Sequence, residues 1–152
     1  MGTAIRSSVV IHRTVAQVFA YVADVETSIE AFDPDVDSVN RTPGGAIGAG
    51  TRFVLEQTLL GRRLTATVLY TAYEPNRQIE FEASAGPLAT IAVLSFQDMQ
   101  GDTRLTFSGD ARPTGPFDVL APLLKLVIGG VWRRRLRRLK KAIESDQHSA
   151  QP

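Results

Sequence analysis

From Arg52 to Ala111 apolar and polar residues alternate in one run after another, separated by short breaks. Alternation at every second position belongs to half-buried β-strands, and breaks this short leave successive strands no geometry but antiparallel pairing. The run TRFVLEQTL puts Phe53, Leu55, Gln57 and Leu59 on one face, with Arg52, Val54, Glu56 and Thr58 on the other. Leu64, Ala66, Val68, Tyr70 and Ala72 share a face in the next run, which stops at Glu74-Pro75. Gln78 to Ser84 sets Ile79, Phe81 and Ala83 against Glu80 and Glu82. Leu88 to Phe96 is apolar on both faces and predicts a more fully buried strand. Gly101-Asp102 predicts a turn, and Thr103 to Ala111 alternates again through Leu105 and Phe107. Such a sheet has a greasy face that the rest of the chain must cover.

The cover lies at the C-terminal end. Phe117, Leu120, Leu124, Ile128, Trp132, Leu136, Leu139 and Ile143 recur at three- to four-residue spacing, which predicts a helix over about Pro116 to Ser145. Gly129-Gly130 should weaken or kink it, and residues 146–152 read as a disordered tail. Ahead of the sheet, Ile5 to Ile11 reads as a strand. Thr14 and Gln17 then form a capping-box pattern opening a helix with Val15, Val18, Phe19 and Val22 on one face. A second short helix is expected from Val25 to Phe32, ending before Asp33-Pro34, and a strand from Val36 to Thr42. The order is therefore strand, two short helices, about six antiparallel strands, long helix. At 152 residues this is one α+β domain over 1–145. Its expected architecture is a helix-grip fold, a curved antiparallel sheet of about seven strands wrapped around a long C-terminal helix.

Composition removes several kinds of chemistry. The chain has no cysteine, which excludes disulfides, thiol catalysis and cysteine metal sites and fits a cytoplasmic protein. The opening residues predict no signal peptide, and no segment reaches the ~20 apolar residues of a membrane span. Gly45 and Gly50 have the spacing of a phosphate loop, but Thr51 follows where lysine is needed and opens a strand. The segment reads as a flexible hairpin loop. Two histidines, His12 and His148, with no paired spacing, predict neither a metal centre nor a cofactor. The absence of Gly-x-Ser-x-Gly excludes a nucleophile elbow.

Several stretches then acquire a common meaning. VFAYVAD, FDPDVDSV, GAGTRF, YEPNRQIEF, GDTRLTF and LRRLKKAIE, in this order between Ile5 and Glu144, resemble the polyketide cyclase/dehydrase and lipid-transport superfamily. That superfamily includes START domains and the birch-pollen allergen group. The resemblance implies the helix-grip fold around a large apolar cavity, and it fixes the fold better than the activity. Many members carry tryptophan where this chain has Phe32.

The inward set from the strand alternation is Phe53, Leu55, Gln57, Val68, Tyr70, Phe81 and Phe107. Phe32, Leu124 and Ile128 on the helices are expected to complete a ligand-binding lining. Only Gln57 and Tyr70 are polar among these, with Ser95 a further polar candidate. A lining of this kind binds and orients a small hydrophobic molecule such as a lipid, polyketide or isoprenoid. The alternative is a polyketide cyclase or dehydratase acting on a bound substrate, with Tyr70 the best candidate for a proton donor. Whether the protein is an enzyme stays open, as does plain core packing without a cavity.

One stretch asks a separate question. In WRRRLRRLKKA, Trp132 to Ala142, seven of eleven residues are cationic, although the chain's net charge is only +1. No interleaved aromatics or nucleic-acid motif accompany them, so nucleic acid is not an expected partner. Six acids between Asp24 and Asp37 offer an internal answer, and the arginines are expected to face them. Val119 to Trp132 is apolar but for Lys125, which leaves peripheral membrane contact or a homodimer through this half of the helix as further readings.

Overall fold

A computed structural model describes residues 3–32, 36–42, 44–59, 61–85, 88–113 and 121–150. Strand β1 (Thr3–Ile11) leads into helices α1 (Val15–Ala23) and α2 (Val25–Phe32). Six strands follow: β2 (Val36–Thr42), β3 (Arg52–Leu59), β4 (Arg62–Glu74), β5 (Gln78–Ala85), β6 (Leu88–Met99) and β7 (Asp102–Pro113). Helix α3 (Ala121–Ala150) closes the chain. The strands form one antiparallel sheet in the order β1-β7-β6-β5-β4-β3-β2, so the first strand returns to pair with the last. This is the helix-grip arrangement that the strand and helix periods predict.

Local chemistry sets the element ends. Thr14 Oγ1 accepts from the Gln17 backbone N–H at 3.3 Å, while Gln17 Oε1 accepts from the Thr14 N–H at 3.1 Å, a complete capping box opening α1. Between β6 and β7 the two-residue turn carries positive φ at both Gln100 (58°) and Gly101 (102°), the backbone that a tight hairpin requires. In α3 the helix crosses Gly129-Gly130 unbroken and continues past Ser145 to Ala150, where the sequence predicts a tail. No proline or glycine interrupts residues 131–151, so nothing in that sequence stops the backbone hydrogen-bond ladder.

The core fills the concave side of the sheet. Phe53, Leu55, Tyr70, Phe81 and Phe107 are all buried, while Arg52 and Arg104 on the opposite face are exposed, as the alternation requires. Helix α3 supplies Trp132, Leu136, Leu139 and Ile143, all buried. The Trp132 ring stacks on Phe107 with centroids 3.8 Å apart and 12° between planes. Gly109, two residues on and on the same face, makes room for the Phe107 ring: a Cβ there would lie 2.7 Å from Phe107 Cζ. Helix α1 docks through Phe19, whose ring meets Phe96 and Tyr73 edge-on at 4.9 and 5.3 Å.

Two strand expectations change. In β6, Ala92, Leu94 and Phe96 are buried but Ile91 is 57% exposed, so the strand is covered on one face only. Ser95 falls on that uncovered side, because its neighbours Leu94 and Phe96 take the inward positions. In β4 a bulge between Tyr70 and Ala72 resets the alternation, so that Tyr73 stacks with Tyr70 at a centroid distance of 6.1 Å.

A polar clasp fixes the end of β1 to α3. Lys140 Nζ donates to the Val10 carbonyl at 2.8 Å and to Glu144 Oε2 at 2.7 Å, and the His12 N–H donates to the same carboxylate at 2.9 Å. Arg13 donates to the carbonyls of Glu144 and His12. Burial alone would push the Glu144 carboxyl up. The hydrogen bonds from His12 and Lys140 and their charges outweigh it and hold the group below its ordinary 4.5. A lowered folded-state pKa makes this carboxylate stabilising above 4.5, and the contribution is lost as pH falls through the folded value. Glu144→Gln is therefore expected to melt lower than wild type at neutral pH. Its melting temperature should also fall less on acidification from about pH 5 to pH 3, as followed by circular dichroism.

Candidate functional site

Strand register explains why the concave face holds a cavity. It aligns Phe53, Val68, Ala83 and Thr90 across β3 to β6, and Tyr70, Phe81, Ala92 and Gly109 across β4 to β7. Large rings in these rows are flanked by alanine, threonine and glycine, which cannot reach the helices opposite. The space left is a cavity of ≈ 330 Å³, at the lower end of the ~300–1,000 Å³ typical of ligand pockets. Leu55, Gln57, Ala66, Val68 and Tyr70 form one wall. Phe81, Ala83 and Leu94 continue it across β5 and β6, with Ser84 and Thr90 beside the β5–β6 turn. Val22, Val25 and Ile29 of α1 and α2, and Val131, Trp132 and Arg135 of α3, close the other side.

Of the sequence-predicted residues, the structure brings Leu55, Gln57, Val68, Tyr70 and Phe81 together around this cavity. Phe53 and Phe107 stand behind it instead. Phe53 packs edge-on against Tyr70 at 5.2 Å, and Phe107 is covered by Trp132, so both shape the wall without forming it. The side chains of Phe32, Leu124 and Ile128 lie outside the described residues.

Tyr70 is committed to the fold. Its hydroxyl donates to the Ala23 carbonyl at 2.8 Å, where α1 ends. Burial, reinforced by the neighbouring Tyr73 and Asp24 charges, pushes the phenol far above its ordinary 10.0, so it is protonated at neutral pH. With its one proton engaged, the hydroxyl offers a ligand its acceptor lone pairs rather than an acid. Tyr70→Phe leaves the Ala23 carbonyl without this donor. It is expected to cost about 1–2 kcal/mol in chemical denaturation while leaving the affinity for an uncharged apolar ligand close to wild type.

Helical spacing alone misassigns Arg135. It is half-buried and lines the cavity, its guanidinium carbon 5.3 Å from the Trp132 ring centre, whereas Arg133, Arg134, Arg137 and Arg138 do not share that setting: Arg134 and its neighbours Arg133, Arg137 and Arg138 are exposed. Arg135 is also the only charged group among the described lining residues. The sequence signal is its position three residues after Trp132, on the edge of the inward stripe. Three of the acids at residues 24–37 have described partners: Arg41 Nε pairs with Glu26 at 3.1 Å, Thr27 donates to Asp24, and Thr58 donates to Asp37. Among the described residues no ion pair joins Arg133, Arg134, Arg137 or Arg138 to those acids. Helix α3 lies along β1, where Arg133 and Arg137 border a groove with Ser7, Ser8 and Val9, and it also packs on α2; the side chains of Glu30, Asp33 and Asp35 lie outside the described residues. Among the described residues, no group of three or more metal-ligating side chains gathers, and no helix is long and apolar enough to cross a membrane.

Solved structures with this fold are similar over nearly the whole chain. The Zhui aromatase/cyclase of Streptomyces sp. R1128 superposes with a TM-score of 0.78 at 16% identity, over 95% of this chain and 94% of that one. A START superfamily protein from Mycobacterium smegmatis gives 0.76 at 16% identity, over 95% and 99%. A protein from Thermus thermophilus gives 0.73 at 15%, over 94% and 98%. Identities this low speak for the fold alone. No curated protein matches the chain by sequence. The family model for polyketide cyclase/dehydrase and lipid transport matches residues 3–144. The chain belongs to that family.

Proposed function

We propose that this protein binds one small hydrophobic molecule between the sheet and α3. The observation that carries the reading is the cavity itself: ≈ 330 Å³ of space walled mainly by aliphatic and aromatic side chains, with a few polar groups to orient an occupant. Its size favours a single chain or a small ring system over a lipid with two acyl chains. Native mass spectrometry of protein purified without denaturant, followed by solvent extraction, tests this. An apolar adduct near one per chain is expected, before or after incubation with a panel of isoprenoids, fatty acids and aromatic polyketides. A chain that carries no adduct and takes up none would overturn it.

A cyclase or dehydratase acting on a bound polyketide-like substrate is the second reading, and the likeness to an aromatase/cyclase favours it. The engaged Tyr70 hydroxyl weighs against proton donation from that residue. Turnover of a trial polyketide that is lost in Tyr70→Phe while binding survives would restore the catalytic role.

A further inference from the structure

The positive charge of this protein is gathered on one helix. Helix α3 carries eight lysines and arginines against two acids, while the remainder of the chain carries nine against fourteen. A net charge of +1 thus conceals a strong charge separation, and such a molecule approaches an anionic surface helix first. Arg133, Arg134, Arg137, Arg138 and Lys141 are all exposed. The helical repeat sets them within an arc of about 140°, on the side of α3 away from the buried Trp132, Leu136, Leu139 and Ile143. Among the described residues none of the five has an ion-pair or hydrogen-bond partner. The Glu144 carboxylate does not answer them, because Lys140 and the His12 N–H already hold it. Nor does β1, the edge strand beside Arg133 and Arg137, which contains no acid.

We propose that this face of α3 docks the protein on an anionic lipid bilayer. Phosphate headgroups supply the complementary charge, and the groove of ≈ 530 Å³ between β1 and α3, bordered by Arg133, Arg137, Ser7 and Ser8, has room for one of them. In sequence the cations directly follow Ala121 to Trp132, a stretch with no charge but Lys125. An apolar segment that runs into a basic one suits a surface whose charged layer covers an apolar one. Between residues 133 and 141 the exposed side chains are arginine and lysine alone, without the asparagine, glutamine or aromatic groups that read or stack on nucleic-acid bases. Helix α3 also walls the cavity, so docking brings that wall toward the bilayer. The proposal stands on the placement of charge and does not require the cavity to be occupied.

The test is co-sedimentation of the full chain with sucrose-loaded vesicles, either of phosphatidylcholine alone or of equal parts phosphatidylcholine and phosphatidylglycerol. At low ionic strength the protein is expected to pellet with the mixed vesicles and to stay in solution with the neutral ones, and about 0.5 M salt should release it. Each cation near such a surface is worth about fivefold in affinity, so Arg134→Gln, Arg137→Gln and Arg138→Gln together should weaken binding roughly a hundredfold. These side chains are exposed, and the triple variant should keep the wild-type melting temperature by circular dichroism. Arg52→Gln with Arg104→Gln, on the outer face of the sheet, should leave binding within about twofold. Failure to pellet with the mixed vesicles, equal binding to both kinds, or full binding by the triple variant overturns the proposal. So does an equal loss in the Arg52, Arg104 variant. Tighter binding to duplex DNA of random sequence than to the mixed vesicles also overturns it and assigns the face to nucleic acid. Ligand uptake by the cavity is read separately in solution, and none of these outcomes decides it.

Discussion

Truncating Trp132 to alanine is expected to destabilise the fold by about 3–5 kcal/mol, the largest effect of any described side chain on α3. The indole is 8% exposed, stacks on Phe107 at 3.8 Å, and approaches Phe81 at 6.5 Å. It is the point at which the helix grips the middle of the sheet. Surrounding groups cannot collapse into the space it leaves, because the sheet at that level already carries small side chains at Ala92 and Gly109 and already borders a cavity. Urea denaturation followed by far-ultraviolet circular dichroism measures the loss, since the variant has no tryptophan left to fluoresce. Trp132→Phe keeps an aromatic ring over Phe107 and should lose less than half as much.

The second large effect concerns binding. Ala66 and Ala83 face the cavity from β4 and β5, and their small size is what keeps it open. Replacing both by leucine adds six carbons to a space of ≈ 330 Å³ without creating a polar mismatch. The double variant is expected to melt at or above the wild-type temperature, because its new methyl groups fill a void rather than a packed core. Its affinity for a neutral apolar ligand should fall at least tenfold, on the order of two methylene-sized losses of accommodation. Unchanged affinity in a stably folded variant would mean that the ligand binds elsewhere.

Much of this architecture is legible because one period governs each element. Two-residue alternation marks the inward faces of β3, β5 and β7, and Phe53, Phe81 and Phe107 are buried accordingly. The helical repeat through Trp132, Leu136, Leu139 and Ile143 likewise marks the buried stripe of α3. Periodicity reports which residues turn inward, but not whether they touch a partner or an empty space. Phe53 and Phe107 therefore read as ligand contacts in the sequence and are packing in the fold. Ala66 and Ala83 sit on the inward face by the same alternation, yet their contribution is what they lack. Tyr73 escapes because the bulge after Tyr70 changes the phase of β4, and nothing in the local sequence marks a bulge. Arg135 escapes because six neighbouring cations make one more look like surface, while its burial depends on the distant α2 and β3 walls that bound the cavity.

The most direct measurement uses a reporter the protein already has. Trp132 is the only tryptophan and lines the cavity, so a molecule bound there lies within contact distance of the indole. Excitation of Trp132 during titration with N-phenylnaphthylamine should give energy transfer to the fluorophore that saturates at one equivalent per chain, and that is absent from the Ala66→Leu, Ala83→Leu double variant. Transfer that rises without saturation, or that is the same in the filled variant, would contradict an internal ligand site between the sheet and α3.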